Sequence, residues 1–390
     1  MHSVPRVRAA SGAALALAAA LLLLMAPTPA ARAEGPITLS IIDTGGDLTS
    51  TQAIIENYKK ANPQKVRDIK LQRAPAPEVP AKIKAQQDAG RLDINLILTG
   101  QDGGSLLAAN GQVIKLFPTY EKRFPESELT DAGKALQHEG EGYLIPSVVS
   151  PGGPVFIYNP SKVPNPPKTA DELLAWAKAN PGRFMYARPA NSGPGRSILQ
   201  GLPYILKDAN PMDPEKGWDK TWAFLAELGK YVEYYPTGTA ITLKEFAQGQ
   251  RWMIAGIMEW DMKPRAQSVI PPESKITILK DTTFVIDGHY WAIPVGVPQE
   301  QIDVILDLME FMRRPDQQAL TWSSFIGPSI KAATLDKAPK DIQDLVKEFW
   351  RPEYDQIGTT WKTTEDLSVK ALAYAMDRWD REIGAQRVKQ

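Results

Sequence analysis

The sequence predicts an α/β protein of two lobes, each a mixed sheet flanked by helices, joined by a two-strand hinge. Strand and helix patterns alternate twice, first from Ile37 and again from about Phe184. Two extended runs broken by Pro or Gly, Tyr143 to Asn159 and Thr283 to Pro294, stand where a chain would cross between lobes. The length, 390 residues, also exceeds what one core usually serves.

The chain opens with Arg6 and Arg8, an apolar run from Ala13 to Met25, Pro27-Thr28-Pro29 and Ala31-Arg32-Ala33. A basic start, a short apolar core and small residues at a cleavage point make a secretory leader, residues 1–33, cut after Ala33. Ile37–Ile42 is a short strand ending at Asp43-Thr44-Gly45-Gly46-Asp47, and a capped helix follows from Gln52 to Ala61. A second strand is predicted over 68–72, a helix over 80–89, and a third strand over 94–98 running into Thr99-Gly100-Gln101-Asp102-Gly103-Gly104. In parallel sheets ligands bind beyond the carboxyl ends of the strands, so both glycine loops are candidate binding loops.

Beyond the first crossing, a proline-rich linker at Val163–Pro167 leads to a helix capped near Thr169. Phe184–Ala187 reads as a strand, and Asn191-Ser192-Gly193-Pro194-Gly195-Arg196-Ser197 turns into a helix through Tyr204. Tyr231–Tyr235 is strand-like, 243–250 helical, and Trp252–Met258 a buried strand ending in Glu259-Trp260-Asp261. After the return crossing, Ile302, Ile305, Leu306, Met309 and Met312 mark one helix face, stopped by Pro315. The remainder from Asp336 reads as largely helical. The predicted division is 34–152 plus about 290–330 for lobe 1, 153–289 for lobe 2, and 331–390 as a C-terminal helical segment packing on the lobes.

Composition narrows the function. The absence of cysteine excludes disulfides, a thiol nucleophile, a thiolate metal site and a lipid-modified cysteine anchor. With 45 basic and 45 acidic residues, and Arg6, Arg8 and Arg32 lost with the leader, the mature surface is near neutral and slightly acidic. That gives no footprint for nucleic acid or anionic lipid. No later segment suits a membrane span. A monomer free in the periplasm of a bacterium with two membranes is expected.

The order of elements resembles the extracellular solute-binding proteins of ATP-driven importers. Within them it is similar to the two-crossing, type II class of polyamine, thiamine and ferric-ion binders. The points of likeness are Thr38–Asp43 with its capped helix, Asp93–Thr99 with its glycine loop, and Gly142–Pro146 leading to Ile157-Tyr158-Asn159. To these are added Asn191–Gly195 opening a helix, Gly249 before the strand that ends at Glu259, and Tyr290–Pro294. The resemblance implies hinge closure on a small solute and delivery to a membrane permease with its ATPase.

The candidate ligand residues are Asp43, Thr44, Gly45, Thr99, Gln101, Asp102, Ser147, Arg188, Asn191, Ser192, Gly193, Arg196, Glu259, Trp260, Asp261, Tyr290 and Trp291. Glu259 and Asp261 would pair with an ammonium group while the Trp260 face adds cation–π attraction, favouring an amine or polyamine-like solute. The helix start at Ser192 with Arg188 and Arg196 would instead hold a carboxylate or phosphate, and both sets together would suit a zwitterion. Alternatively, Arg188 or Arg196 merely pairs with Glu259 or Asp261. No cofactor or metal is expected: His138 and His289 are far apart, and Trp260-Asp261 stands where ferric binders of the resembled family carry adjacent tyrosines. The rival class, a secreted hydrolase using Glu259 and Asp261 as its carboxylate pair, lacks any G-x-S-x-G or H-E-x-x-H motif.

Overall fold

Eleven strands form two sheets in the computed structural model, which describes residues 1–2, 35–357 and 360–387. The predicted leader and its cleavage point lie outside the described residues. Ile37–Gln390 forms one compact unit, and everything below concerns it.

The first sheet contains β1 (Ile37–Asp43), β2 (Val66–Arg73) and β3 (Leu96–Gly100), with β1 parallel to both neighbours. It continues through β4 (Ile145–Gly153), which passes through Pro154 into β5 (Val155–Tyr158) of the second sheet. There, β6 (Phe184–Met185) lies parallel to β7 (Met253–Gly256), while β5 runs antiparallel to β7 and to β8 (Lys275–Thr277). The chain returns as β9 (Thr283–Ala292), antiparallel to β3 and β4. Two short strands complete the first sheet: β10 (Gly327–Pro328) on β4 and β11 (Lys362–Thr364) on β9. The orders are β10-β4-β9-β3-β1-β2 and β6-β7-β5-β8. Strands of the first sheet come from residues 37–153 and 283–364, and those of the second from 155–277.

Both crossings are therefore strands, and they pair with each other. Gly153 of β4 faces Val285 of β9, beside a register irregularity between Ser150 and Gly153. Gly152 adopts φ +72°, and a Cβ there would stand 1.6 Å from Val285 O. No side chain fits such an approach, which explains the Pro-Gly-Gly-Pro run. Gly152→Ala is expected to destabilise the fold by about 3 kcal/mol, adding left-handed backbone strain to overpacking. A urea midpoint equal to wild type would overturn that expectation.

Each face of each sheet carries a helical layer. The helix Gln299–Met312 buries Ile302, Ile305, Leu306, Met309 and Met312 against Leu39, Leu98 and Trp291, as its periodicity predicts. Each such side chain contributes roughly 1.5–3 kcal/mol on burial. The other face of that sheet packs Ile42, Ile97 and Tyr290 against Leu136. In the second sheet, Phe156 and Met253 pack with Leu199, Trp218 and the C-terminal Trp379.

Local differences from the sequence expectation have identifiable causes. Tyr231–Tyr235 is irregular, because its backbone makes isolated bonds and no ladder: Tyr231 N–H to Leu228 O, Val232 N–H to Gly229 O and Gly182 N–H to Tyr231 O, with Arg188 N–H to Pro236 O just beyond. The glycine loop after the third strand is already helical from Gln101, since Gly100 in extended geometry starts the helix Gln101–Ala109. The C-terminal segment is less helical than predicted: β11 separates its two helices, Lys340–Phe349 and Val369–Glu382.

Candidate functional site

The carboxyl ends of β1 and β3 face a cavity of about 420 Å³ whose opposite wall is the start of the helix Gly193–Ile205 and the segment after β7. Asp43 builds the first wall without lining it. Its buried carboxylate accepts from the N–H groups of Gly45, Gly46, Asp47 and Leu48 at 2.8–3.2 Å, curling the loop into the helix Leu48–Ala61. Burial, with Asp47 nearby, pushes its pKa up despite those bonds. Gly45 permits the close packing: a Cβ would meet Gly100 N at 2.7 Å and His289 Cδ2 at 3.2 Å. Thr44, Gly45 and Gly46 line the cavity, and Thr44 Oγ1 donates to Leu98 O.

Across from this loop, Ser192 caps its helix by accepting from Gly195 N–H at 3.0 Å and receives a bond from Thr239 Oγ1 at 2.8 Å. Asn191, Ser192 and Gly193 all line the cavity. One turn on, Arg196 extends to the first sheet's side. Its Nη1 lies 3.1 Å from Asp102 Oδ2, and its Nη2 3.1 Å from Asp287 Oδ1 on β9. The guanidinium is 7% exposed. Burial opposes its charge, but Asp102 and Asp287 outweigh that and hold its pKa above the ordinary value. All three residues line the cavity, so Arg196 ties the two walls together.

Two further basic side chains border the space. His289 Nδ1 lies 3.5 Å from Asp47 Oδ1, and Ser147 Oγ donates to the same oxygen at 3.3 Å. Lys263, from the short helix Met262–Ala266, donates to Ser324 Oγ at 3.0 Å and Thr49 O at 3.4 Å. Partial burial lowers its pKa. Among the described residues no carboxylate pairs with it. Trp260, Ile257, Met258 and Ile326 supply the apolar surface.

Several predicted site residues are employed elsewhere. Asp261 is fully buried and holds Arg351 through Nε at 2.9 Å and through Nη2, with Tyr354 OH at 3.3 Å. Neither Arg188 nor Arg196 meets it, because the strand ends at Gly256 and the chain turns through Met258–Asp261 into the helix Met262–Ala266. Glu259 takes φ +70° and is 2% exposed, its carboxyl accepting from Gly327 N–H. Burial raises its pKa well above the carboxylate range. The two acids therefore do not bracket the cavity as a hydrolytic pair would. Arg188 forms a two-point pair with Asp380 of the C-terminal helix at 2.5 and 2.7 Å. Tyr290 and Trp291 are core residues, Tyr290 bonding Glu139 Oε2 at 3.0 Å, so they do not floor the cavity. Thr99, Gln101 and Ser147 are buried behind its lining.

What the sequence reading missed is Asp47, Lys263, Asp287 and His289. The signal for the last two was available: period-2 alternation in Asp287-Gly288-His289 puts both side chains on one face of a crossing strand. Among the described residues no group of three or more His, Asp or Glu side chains is placed to hold a metal ion. No described helix is long and apolar enough to cross a membrane.

Similar folds occur among solved structures. A GABA receptor, Atu4243, aligns with a TM-score of 0.65 at 14% identity, covering 91% of this chain and 98% of that one. A putative spermidine/putrescine ABC transporter protein from Listeria monocytogenes gives 0.60 at 15% identity, with coverages of 88% and 98%. A periplasmic thiamin binding protein gives 0.62 at 13%, with 89% and 96%. At these identities the likeness is one of fold, the two-lobed fold of periplasmic binding proteins. No curated protein matches the chain. Residues 53–348 match the family model of the bacterial extracellular solute-binding protein. That match spans most of the chain, and the chain belongs to this family of solute-binding proteins.

Proposed function

We propose that this solute-binding protein captures a small amino-carboxylic zwitterion in the periplasm and delivers it to an ABC permease and its ATPase. The observation that carries the solute class is the sorting of charge in the cavity. Arg196 is taken by Asp102 and Asp287, whereas Lys263 meets only a hydroxyl and a carbonyl. A solute carboxylate would give Lys263 its missing partner, and carboxylate lone pairs of Asp102 and Asp287 remain for an ammonium group. The apolar body would lie against Trp260 and Ile257. The amine-only reading rested on Glu259 and Asp261 beside the Trp260 indole, and of these only Trp260 lines the cavity. Among the similar folds is a GABA receptor, whose named ligand is of this zwitterionic class.

Closure follows from the geometry. Residues 34–152 with the return after about 290 would move as one lobe against 153–289, with β4 and β9 flexing, and a solute touching both walls would favour the closed state. The protein would act as a monomer, released from its leader after Ala33, without catalysis. Calorimetry against 4-aminobutyrate, succinate, putrescine and ferric ion tests the reading. Lys263→Met is expected to weaken 4-aminobutyrate binding roughly tenfold to hundredfold, the loss of one charge-assisted bond. Tight putrescine binding that Lys263→Met leaves unchanged would restore the amine reading.

A further inference from the structure

We propose that His289, held by Asp47, reads the solute's acid group in its protonated form, so that carboxylate capture depends on a proton at this side chain. The inference rests on the solute reading above and adds a residue and a condition to it.

His289 sits on β9 opposite Gly100 of β3 and Val148 of β4, where β3 gives way to the helix Gln101–Ala109. That register brings the ring to the sheet edge facing the cavity, and its side chain is 20% exposed. Asp47 is fully buried. It lies near Nδ1, which leaves Nε2 as the nitrogen available to a solute. The missing Cβ of Gly45 makes room for the ring's Cδ2 edge. Asp47 itself is fixed by Ser147 Oγ, and its Oδ2 is buried without a hydrogen-bond partner among the described residues. His289 Nδ1, 3.5 Å from Oδ1, is likewise buried without a hydrogen-bond partner among the described residues, so a positive charge on the ring would balance this acid across the gap.

The charged neighbours come from every wall. Asp43 and Asp47 lie at and after the end of β1, Asp287 is on the same strand, Asp102 is on the helix after β3, and Arg196 projects from the opposite wall against Asp102 and Asp287. Burial alone would lower the imidazole pKa, but Asp47, Asp287 and Asp43 outweigh it and hold it above 6.5. The cation is therefore present below 6.5 and lost as pH rises through the higher folded value. A solute carboxylate is attracted only to the charged ring, so affinity falls as that proton leaves. Burial lowers the Lys263 pKa as well, so the His289→Gln variant is what separates the two groups.

Calorimetry with 4-aminobutyrate and with succinate from pH 5.5 to 8.5 tests this. Wild-type affinity is expected to fall by up to about tenfold per pH unit above the His289 midpoint. His289→Gln is expected to bind about tenfold more weakly at pH 6 with a flattened profile. Imidazole NMR of the wild type supplies a readout without a variant: 4-aminobutyrate should raise the His289 midpoint. A variant that keeps the wild-type slope, or a midpoint unmoved by bound solute, overturns the role of His289 while leaving the solute class intact. Absence of binding by wild type to both carboxylates at every pH overturns the solute class and this inference together.

Discussion

Asp261→Asn is expected to cost about 3–5 kcal/mol of stability without removing a solute contact. Asp261 is fully buried, and Arg351, at 6% side-chain exposure, has no water to replace its partner. Removing one member of a buried ion pair leaves an uncompensated charge, which is where such large losses arise. Arg351 also donates to Ser274 O at 2.9 Å, and Tyr354 shares the Asp261 carboxylate. The pair therefore pins the segment around Arg351 beneath the cavity wall that carries Trp260 and Lys263. A paired replacement, Asp261→Leu with Arg351→Met, should recover most of the loss, because two apolar groups leave nothing unpaired. Urea denaturation of the three proteins distinguishes these outcomes, and a single variant within 1 kcal/mol of wild type would contradict the assignment.

Stability is expected to be higher at pH 5 than at pH 8, the reverse of what surface carboxylates paired with lysines would give. Glu139 is pushed up to about 8, first by burial and then by Asp366, while accepting from Asp366 N–H at 2.8 Å and Tyr290 OH at 3.0 Å. Asp366 is raised to about 7 by burial, with Arg196 opposing and Asp287 adding to the shift. Both groups hold a proton more tightly folded than unfolded. The stabilisation they contribute is complete below about pH 4, where both states are protonated. It declines as pH rises to about 7 for Asp366 and about 8 for Glu139, because the unfolded chain releases its protons first. From pH 5 to the folded value of about 7, roughly two pH units at about 1.4 kcal/mol each give a loss of about 3 kcal/mol for Asp366 alone. Urea midpoints at pH 5 and pH 8 measure it. Glu139→Gln and Asp366→Asn should each raise stability at pH 8 and flatten the trend, and equal wild-type midpoints would refute it.

The α/β rhythm, the two strand crossings and the helix caps at Thr169 and Ser192 were legible because they depend on neighbours a few residues away, whereas the helix predicted from Gln52 starts at Leu48, without a side-chain cap from Asp47. Thr169 accepts from Glu172 N–H, Ser192 accepts from Gly195 N–H, and the helix 299–312 buries the face its spacing marks. The loop Thr44–Gly45, the start Asn191–Gly193 and Arg196 were legible as cavity wall because strand ends and helix starts converge in such sheets. Tyr231–Tyr235 misled, since β-prone residues form no strand without a ladder to join.

What the sequence determined by itself is the architecture and the places where a ligand could be met. Only the tertiary structure decided which charges face the cavity. Asp261 is committed to Arg351, 90 residues away, and Arg188 to Asp380, 192 away. Arg196 reaches Asp287 over 91 positions. A charged side chain's role is fixed by the partner that replaces its water, and no local pattern names a partner at that separation. Lys263 and His289 matter for the complementary reason: once the fold has paired the other charges, these two still have donors to give.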